Sequence, residues 1–270
     1  MKHLIISVAL AFSAHTLADT IIVQSTTSTQ NSGLYDYLLP LLEKDTGIMG
    51  TGIKVNVVAV GTGQAIKNAR RCDGDVLLVH AKSAEEKFVA DGYGDYRRDL
   101  MYNDFVIIGP KADPANLAGA RDVIDALQRI KQAGAKFASR GDDSGTHKKE
   151  RSLWQAAAID PGAGSGQWYL ETGSGMGATL NTGVSLGAYV LTDRATWIAF
   201  ANKQDADILF EGNPALFNQY GVIPVSAEKC PNVNREAAET FAQWLLSDAG
   251  QAAIRAYQVD GKQLFFPNAD

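Results

Sequence analysis

The sequence predicts an α/β protein built on mostly parallel sheets, and three observations carry that expectation. Short apolar, β-branched runs alternate with stretches whose apolar residues recur at helical spacing, over nearly the whole chain. Three of the resulting strand-to-helix junctions, at 25–32, 61–63 and 140–146, are crowded with hydroxyl, glycine or charged residues. Ligands of open α/β sheets sit beyond the carboxyl ends of the strands, and a cleft between two lobes would gather all three junctions.

Residues 1–18 stand outside the fold. Lys2, the apolar run 4–12 and the small-residue end Thr16-Leu17-Ala18 form an export signal cleaved ahead of Asp19. The run is too short to cross a bilayer, and no later stretch reaches the roughly 20 apolar residues a membrane helix needs. No cysteine stands at the cleavage point to carry a lipid. The expectation is a soluble protein exported to a bacterial periplasm.

The first strand is 20–23, apolar and β-branched as a buried parallel strand requires. It opens into 24–33, a polar loop in which nine of ten residues carry a hydrogen-bonding side chain. Leu34, Leu38, Leu41 and Leu42 then share a helical face, with Gly47 placed to stop the helix and Pro40 to kink it. Val55, Val57, Val58 and Val60 mark a second strand, Gly61-Thr62-Gly63 a tight turn, and Ala65, Ile66 and Ala69 a short helix. A third strand, 75–80, leads to a helix over 83–88, and His80 at its end reads as a histidine satisfied by local partners.

The run 101–110 is a strand that stops at Gly109-Pro110. Val123, Leu127 and Ile130 space a helix ending near Gly134, 136–138 is a short buried strand, and Leu153, Trp154 and Ala157 follow at helical spacing. A glycine-rich loop at 162–166 precedes a strand at 168–171 and a turn into a helix at 172–180. The glycines at 173, 175 and 177 miss the dinucleotide spacing, so that segment reads as a turn lining the cleft. A strand at 188–192 runs into Asp193, the N-cap of a helix carrying Ala195, Ile198 and Ala199. Extended runs at 208–210 and 220–225 flank a turn at 211–214. Ala237, Phe241, Trp244 and Leu245 share a face of the next helix, a second helix covers 250–257, and Leu264-Phe265-Phe266 docks the C-terminus.

With 25 basic and 30 acidic residues the formal charge is −5, which opposes nucleic acid, since that needs a basic face. A small anion held by a few donors is compatible with it. Cys72 and Cys230 are the only cysteines. In an oxidising compartment one disulfide closing a long loop is the default, two buried free thiols the alternative. Past the export signal only His80 and His147 remain, too few for a Cys/His zinc site; a carboxylate-only metal site stays open. No cofactor is expected.

The chemistry concentrates at 139–150, Ser-Arg-Gly-Asp-Asp-Ser-Gly-Thr-His-Lys-Lys-Glu, which joins a strand to a helix N-terminus. The first turn of a helix leaves N–H groups unpaired and carries partial positive charge, so it favours anions. Ser144 and Thr146 add hydroxyl donors, Gly145 lets a ligand approach the backbone, and Arg140 offers a planar fork of N–H groups. A tetrahedral oxyanion suits that donor set; a capped helix with a surface arginine is the plainer alternative.

The chain resembles the periplasmic oxyanion-binding components of ABC importers, and most closely the TupA-type tungstate-binding proteins. The segments that carry this are Ser25-Thr26-Thr27-Ser28-Thr29-Gln30, Val60-Gly61-Thr62-Gly63, the runs 75–81 and 101–110, Ser139 to His147, and 175–180 with 216–222. The family opens its first motif with Thr where Ser25 stands, and the hydroxyl is kept. The resemblance implies a two-lobed type II binding-protein fold, with 19–107 plus 221–270 as lobe one, 108–220 as lobe two, and crossovers around Phe105 and Tyr220. It implies a site made of Thr26, Thr27 and Ser28, Thr62 and Gly63, and Arg140, Ser144, Gly145 and Thr146. It also implies a monomer that closes on tungstate, or molybdate, and then docks on a membrane permease.

Phosphate-binding relatives share an arginine ahead of Ser-Gly-Thr, here with three residues between Arg140 and Ser144, so the anion is chosen by its proton. Hydrogen phosphate needs an acceptor, whereas tungstate, molybdate and sulfate are acceptor-only dianions near neutral pH. Where phosphate binders place an aspartate after the third strand, this chain has His80-Ala81-Lys82. Asp142 and Asp143 would restore phosphate if either faced the ligand; the expectation is that they accept from Arg140 or from backbone N–H groups. An enzyme is the other class to weigh, a secreted hydrolase with Ser144 as nucleophile, His147 as base and Asp143 as orienter. No Gly-x-Ser-x-Gly elbow supports it.

Overall fold

The computed structural model describes residues 20–48, 50 and 53–269; the export signal expected at 1–18 lies outside them. The chain begins with β1 (Thr20–Thr26), α1 (Thr27–Asn31), α2 (Leu34–Thr46), β2 (Lys54–Val60), α3 (Thr62–Arg70), β3 (Val76–Val79) and α4 (Lys82–Ala90). β1 pairs in parallel with both β2 and β3. α2 continues through Pro40 and ends on Gly47, whose φ of 63° is the left-handed turn that glycine adopts without strain.

β4 (Arg98–Pro110) is the element that joins the two lobes. After it come α5 (Val123–Gln132), β5 (Phe137–Ser139), α6 (Gly145–Ala156), β6 (Tyr169–Glu171), α7 (Met176–Leu186), β7 (Val190–Asp193), α8 (Arg194–Ala199) and β8 (Ala206–Phe210). β9 (Phe217–Pro224), α9 (Arg235–Leu246), α10 (Asp248–Ala256) and three two-residue strands, β10 (Gln258–Val259), β11 (Lys262–Gln263) and β12 (Phe266–Pro267), complete the chain. From Arg98 to Asp104 β4 pairs with β9; from Phe105 onward it pairs with β7 and β8. β9 lies between β4 and β3 in the order β12-β4-β9-β3-β1-β2.

The sheet is therefore mixed, where the sequence led us to expect mostly parallel strands. A chain that leaves one lobe along β4 and returns along β9 beside it must run antiparallel there. Only β1 with β2 and β3, and β5 with β6, keep the parallel pairing among the named strands.

Alternate residues of β4 enter different cores, as the pleat dictates. Phe105 and Ile107 pack with Leu127, Trp154 and Tyr169, while Val106 and Ile108 pack with Leu180, Val190 and Trp197. The other lobe is layered likewise: Ile21, Val23, Val76 and Tyr220 meet Leu38, Phe241 and Ile254, and Leu77 and Val79 meet Ile66, Phe88 and Ile223. Cys72 and Cys230 are bonded, with Cα atoms 5.2 Å apart and a sequence separation of 158. Because the bridge constrains so long a loop of the unfolded chain, Cys72→Ser with Cys230→Ser is expected to lower unfolding free energy by about 2–4 kcal/mol in chemical denaturation.

Candidate functional site

Three helix N-termini meet where the lobes face each other. The first is unforeseen in the sequence, because α1 has no apolar periodicity: Thr26 caps it, its Oγ1 accepting from Thr29 N and lying 2.8 Å from Thr29 Oγ1. α3 starts at Gly61 without a side-chain cap, and α6 starts at Ser144, whose Oγ accepts from His147 N at 3.2 Å. α3 and α6 touch almost backbone to backbone. A Cβ built on Gly61 would lie 3.7 Å from Ser144 Cα, one on Gly63 2.7 Å from Asp143 Oδ2, and one on Gly145 2.8 Å from Thr62 Oγ1 and 3.0 Å from His80 Cε1. Ser28 Oγ, 3.4 Å from His80 Nε2, brings α1 to the same place.

Thr27, Thr62 and Thr146 supply one hydroxyl from each junction, and among the described residues none of the three buried oxygens has a hydrogen-bond partner. A buried hydroxyl left unpaired costs about 1–3 kcal/mol, a cost that a bound acceptor repays. The Thr26 and Ser28 hydroxyls lie 3.1 Å apart at the start of α1, and that of Ser28 also faces His80 Nε2. Ser144 is spent on its cap, and Gly145 contributes backbone and space.

Arg140 is buried, with 4% of its surface exposed. Asp142 Oδ2 accepts from its Nε at 3.1 Å and an Nη at 2.5 Å, while Asp142 Oδ1 accepts from Ser144 N. Two of the five guanidinium N–H groups are thereby occupied and the plane is fixed. Burial pushes the Asp142 carboxyl up, but the bonds from Arg140 and Ser144 outweigh it and hold the group below the usual carboxylate range. Asp143 Oδ1 accepts from Lys148, and its Oδ2 lies against Gly63. The turn at 172–174 holds the Arg140 carbonyl through Ser174 N and Thr172 Oγ1. Beneath it Ser139 donates to Glu150, which also accepts from Trp154 and Tyr169 and is pushed by burial up to about 7.

His80, Asn218 and Asp193 border this region and were not singled out as site residues from sequence. Their one signal was position, at the ends of β3 and β7 and the start of β9. Asp193 is buried, which raises its carboxyl, and its two oxygens are taken by Thr196 N and Thr196 Oγ1. Burial lowers His80 to about 4 against the opposing bond to Asn218, so the ring is neutral at physiological pH. Its folded pKa lies below the 6.5 of an ordinary histidine; it therefore contributes stability above pH 6.5 that is lost as pH falls toward 4. In chemical denaturation the advantage of the wild type over His80→Phe is expected to shrink by roughly 3 kcal/mol across that window.

Ser144, Asp143 and His147 do not form a catalytic relay. The Ser144 hydroxyl serves the His147 backbone, and His147 Nδ1 accepts from the Asp143 backbone at 3.1 Å.

Two α/β lobes threaded by a pair of antiparallel strands, with helix N-termini turned inward, are the build of a solute-binding protein, and a family model described as a PBP superfamily domain matches residues 13–249. The chain is 47% identical over 254 residues to the tungstate-binding protein TupA of Peptoclostridium acidaminophilum, spanning 93% of this chain and 86% of that one. Among solved structures, the tungstate-binding protein TupA from Desulfovibrio alaskensis G20 is 46% identical with a TM-score of 0.79, covering 94% of this chain and all of that one. The structure described as the tungstate ABC transporter from Geobacter sulfurreducens is also 46% identical, with a TM-score of 0.78 over 88% and 98% of the two chains. The chain belongs to the TupA family of the PBP superfamily, a family of ABC-transporter solute-binding components and not of enzymes.

Proposed function

We propose that this protein binds tungstate as the fully deprotonated dianion, closing its two lobes over it in the periplasm and, as a monomer, delivering it to the permease of an ABC importer. The observation that carries the proposal is the set of three unpaired threonine hydroxyls, Thr27, Thr62 and Thr146, each from a different junction, beside the buried Arg140. The ligand set we propose is Thr26, Thr27 and Ser28, Thr62 and Gly63, and Arg140, Ser144, Gly145 and Thr146, with first-turn amides contributing at Ser28, Gly63 and Gly145 and the caps Thr26 and Ser144 shaping the turns that present them. The lobes we propose are 19–107 plus 221–270 and 108–220, a division supported by the change of partners of β4 after Asp104. Export by cleavage of 1–18 belongs to the same proposal.

Charge is dispersed over many N–H and O–H donors and one guanidinium. Asp142, half-buried, and Asp193, buried, already have their oxygens engaged. Hydrogen phosphate would bring a donor that finds no free carboxylate and must compete for a hydroxyl that could otherwise donate to the anion, a mismatch worth about 1–3 kcal/mol. Molybdate has nearly the size and charge of tungstate, and family membership is what favours tungstate.

Thr62→Val tests the reading. Replacing an unpaired buried hydroxyl by a methyl is expected to leave the ligand-free protein as stable or about 1 kcal/mol more stable, while affinity for tungstate falls about tenfold or more in titration calorimetry. Unchanged affinity would mean that the hydroxyl does not face the ligand. In competition at neutral pH, tungstate should displace sulfate and phosphate, and displacement of tungstate by phosphate would overturn the choice of anion.

A further inference from the structure

We infer that His80 is a positioning residue of this anion site, held in one tautomer by the two strands that pass between the lobes and in turn holding the first turn of α1. The inference rests on the binding reading above. Asn103 of β4 and Asn218 of β9 face each other in register, two residues before β4 leaves β9 for β7. Asn218 Nδ2 donates to Asn103 Oδ1 at 2.7 Å, which leaves Asn218 Oδ1 as the acceptor facing His80 Nδ1 at 3.0 Å. That contact is a hydrogen bond only if Nδ1 carries the proton. In a neutral ring Nε2 is then bare, an acceptor for the Ser28 hydroxyl 3.4 Å away, and Ser28 Oγ is in turn 3.1 Å from Thr26 Oγ1 at the cap.

The chain of bonds has one direction, from the start of α1 through His80 to the crossing strands. Within it the Thr27 hydroxyl, flanked by Thr26 and Ser28, is left without a protein partner. The opposite lobe meets the same ring, since a Cβ on Gly145 would come within 3.0 Å of His80 Cε1. Tyr220 and Phe105, with ring centroids 4.7 and 6.3 Å from the imidazole, keep it from swinging. One imidazole thus sets both where α1 aims its donors and where α6 lands on closure. Loosening it acts on the closed, liganded form, so it should shorten residence more than it slows capture.

The test uses the mature protein with tungstate as ligand, and stopped-flow rates for wild type, His80→Phe, Asn218→Leu and the double variant. Each single change is expected to raise the dissociation rate about tenfold or more, with association changed by less than about threefold, and the double variant to be no worse than the worse single one. Nitrogen NMR of the wild-type ring should show Nδ1 protonated and Nε2 bare, and Asn218→Leu should lose that preference. Effects that multiply in the double variant, or a wild-type ring protonated on Nε2 while tungstate still binds, would overturn the inference and leave the function standing. A wild type that binds neither tungstate nor molybdate removes the function, and this inference with it.

Discussion

Arg140→Ala is expected to cut tungstate affinity by about 30-fold or more while leaving the melting temperature of the ligand-free protein near the wild-type value. Among the described residues the guanidinium is the one full positive charge buried in the cleft, at 4% exposure, and Asp142 fixes its plane through two bonds. Truncating one partner of a desolvated, hydrogen-bonded charge pair costs about 2–5 kcal/mol, which is a factor of about 30 to several thousand in affinity. The fold survives because Asp142, with 18% of its side chain exposed, can be hydrated when its partner is gone. Arg140→Lys should recover only part of the loss, since an ammonium offers no fork to be held by Asp142 and the ligand together. Titration calorimetry reads both variants, and wild-type affinity in Arg140→Ala would mean that the guanidinium does not touch the ligand.

The second large effect comes from a single methyl. Gly145→Ala places a Cβ 2.8 Å from Thr62 Oγ1 and 3.0 Å from His80 Cε1, both on the other side of the cleft. Alanine at the first position of α6 suits a helix at least as well as glycine, so the open protein should be no less stable. Closure should suffer, because the lobes cannot approach without displacing the threonine hydroxyl or the ring beneath it. An affinity loss of about 100-fold or more with an unchanged ligand-free melting temperature is the expected pattern, since ligand affinity falls with the fraction of closure-competent protein. Small-angle scattering would show the variant staying open in saturating tungstate; a normal compaction on binding would place the closure contact elsewhere.

Much of this arrangement was legible in the sequence, for reasons that differ residue by residue. Asp193 was readable as a cap because an N-cap is a local device, settled within four residues, whereas Ser144, read as a hydroxyl donor to the ligand, spends its Oγ on capping α6. The three polar junctions were readable because strand ends and helix starts leave compositional traces. α1 was not, since Thr27-Ser28-Thr29-Gln30-Asn31 carries no apolar face and forms from a cap and tertiary packing. The antiparallel run of β4 beside β9 was hidden because pairing more than 100 residues apart leaves no local mark. His80 looked like a histidine with local partners, yet Asn218, 138 residues away, holds one of its nitrogens. Asp142 binds Arg140 as the spacing suggested, while Asp143, its neighbour, turns to Lys148 from a backbone at φ 59°.

The central claim is that a dianion is held by donors alone, with no proton taken up or released. Titration of tungstate at pH 7 in two buffers of very different ionisation enthalpy measures this directly. Binding of one ion per chain with the same enthalpy in both buffers is the expected result. A buffer-dependent enthalpy, meaning that a proton joins or leaves the complex, or no heat of binding at all, would contradict it.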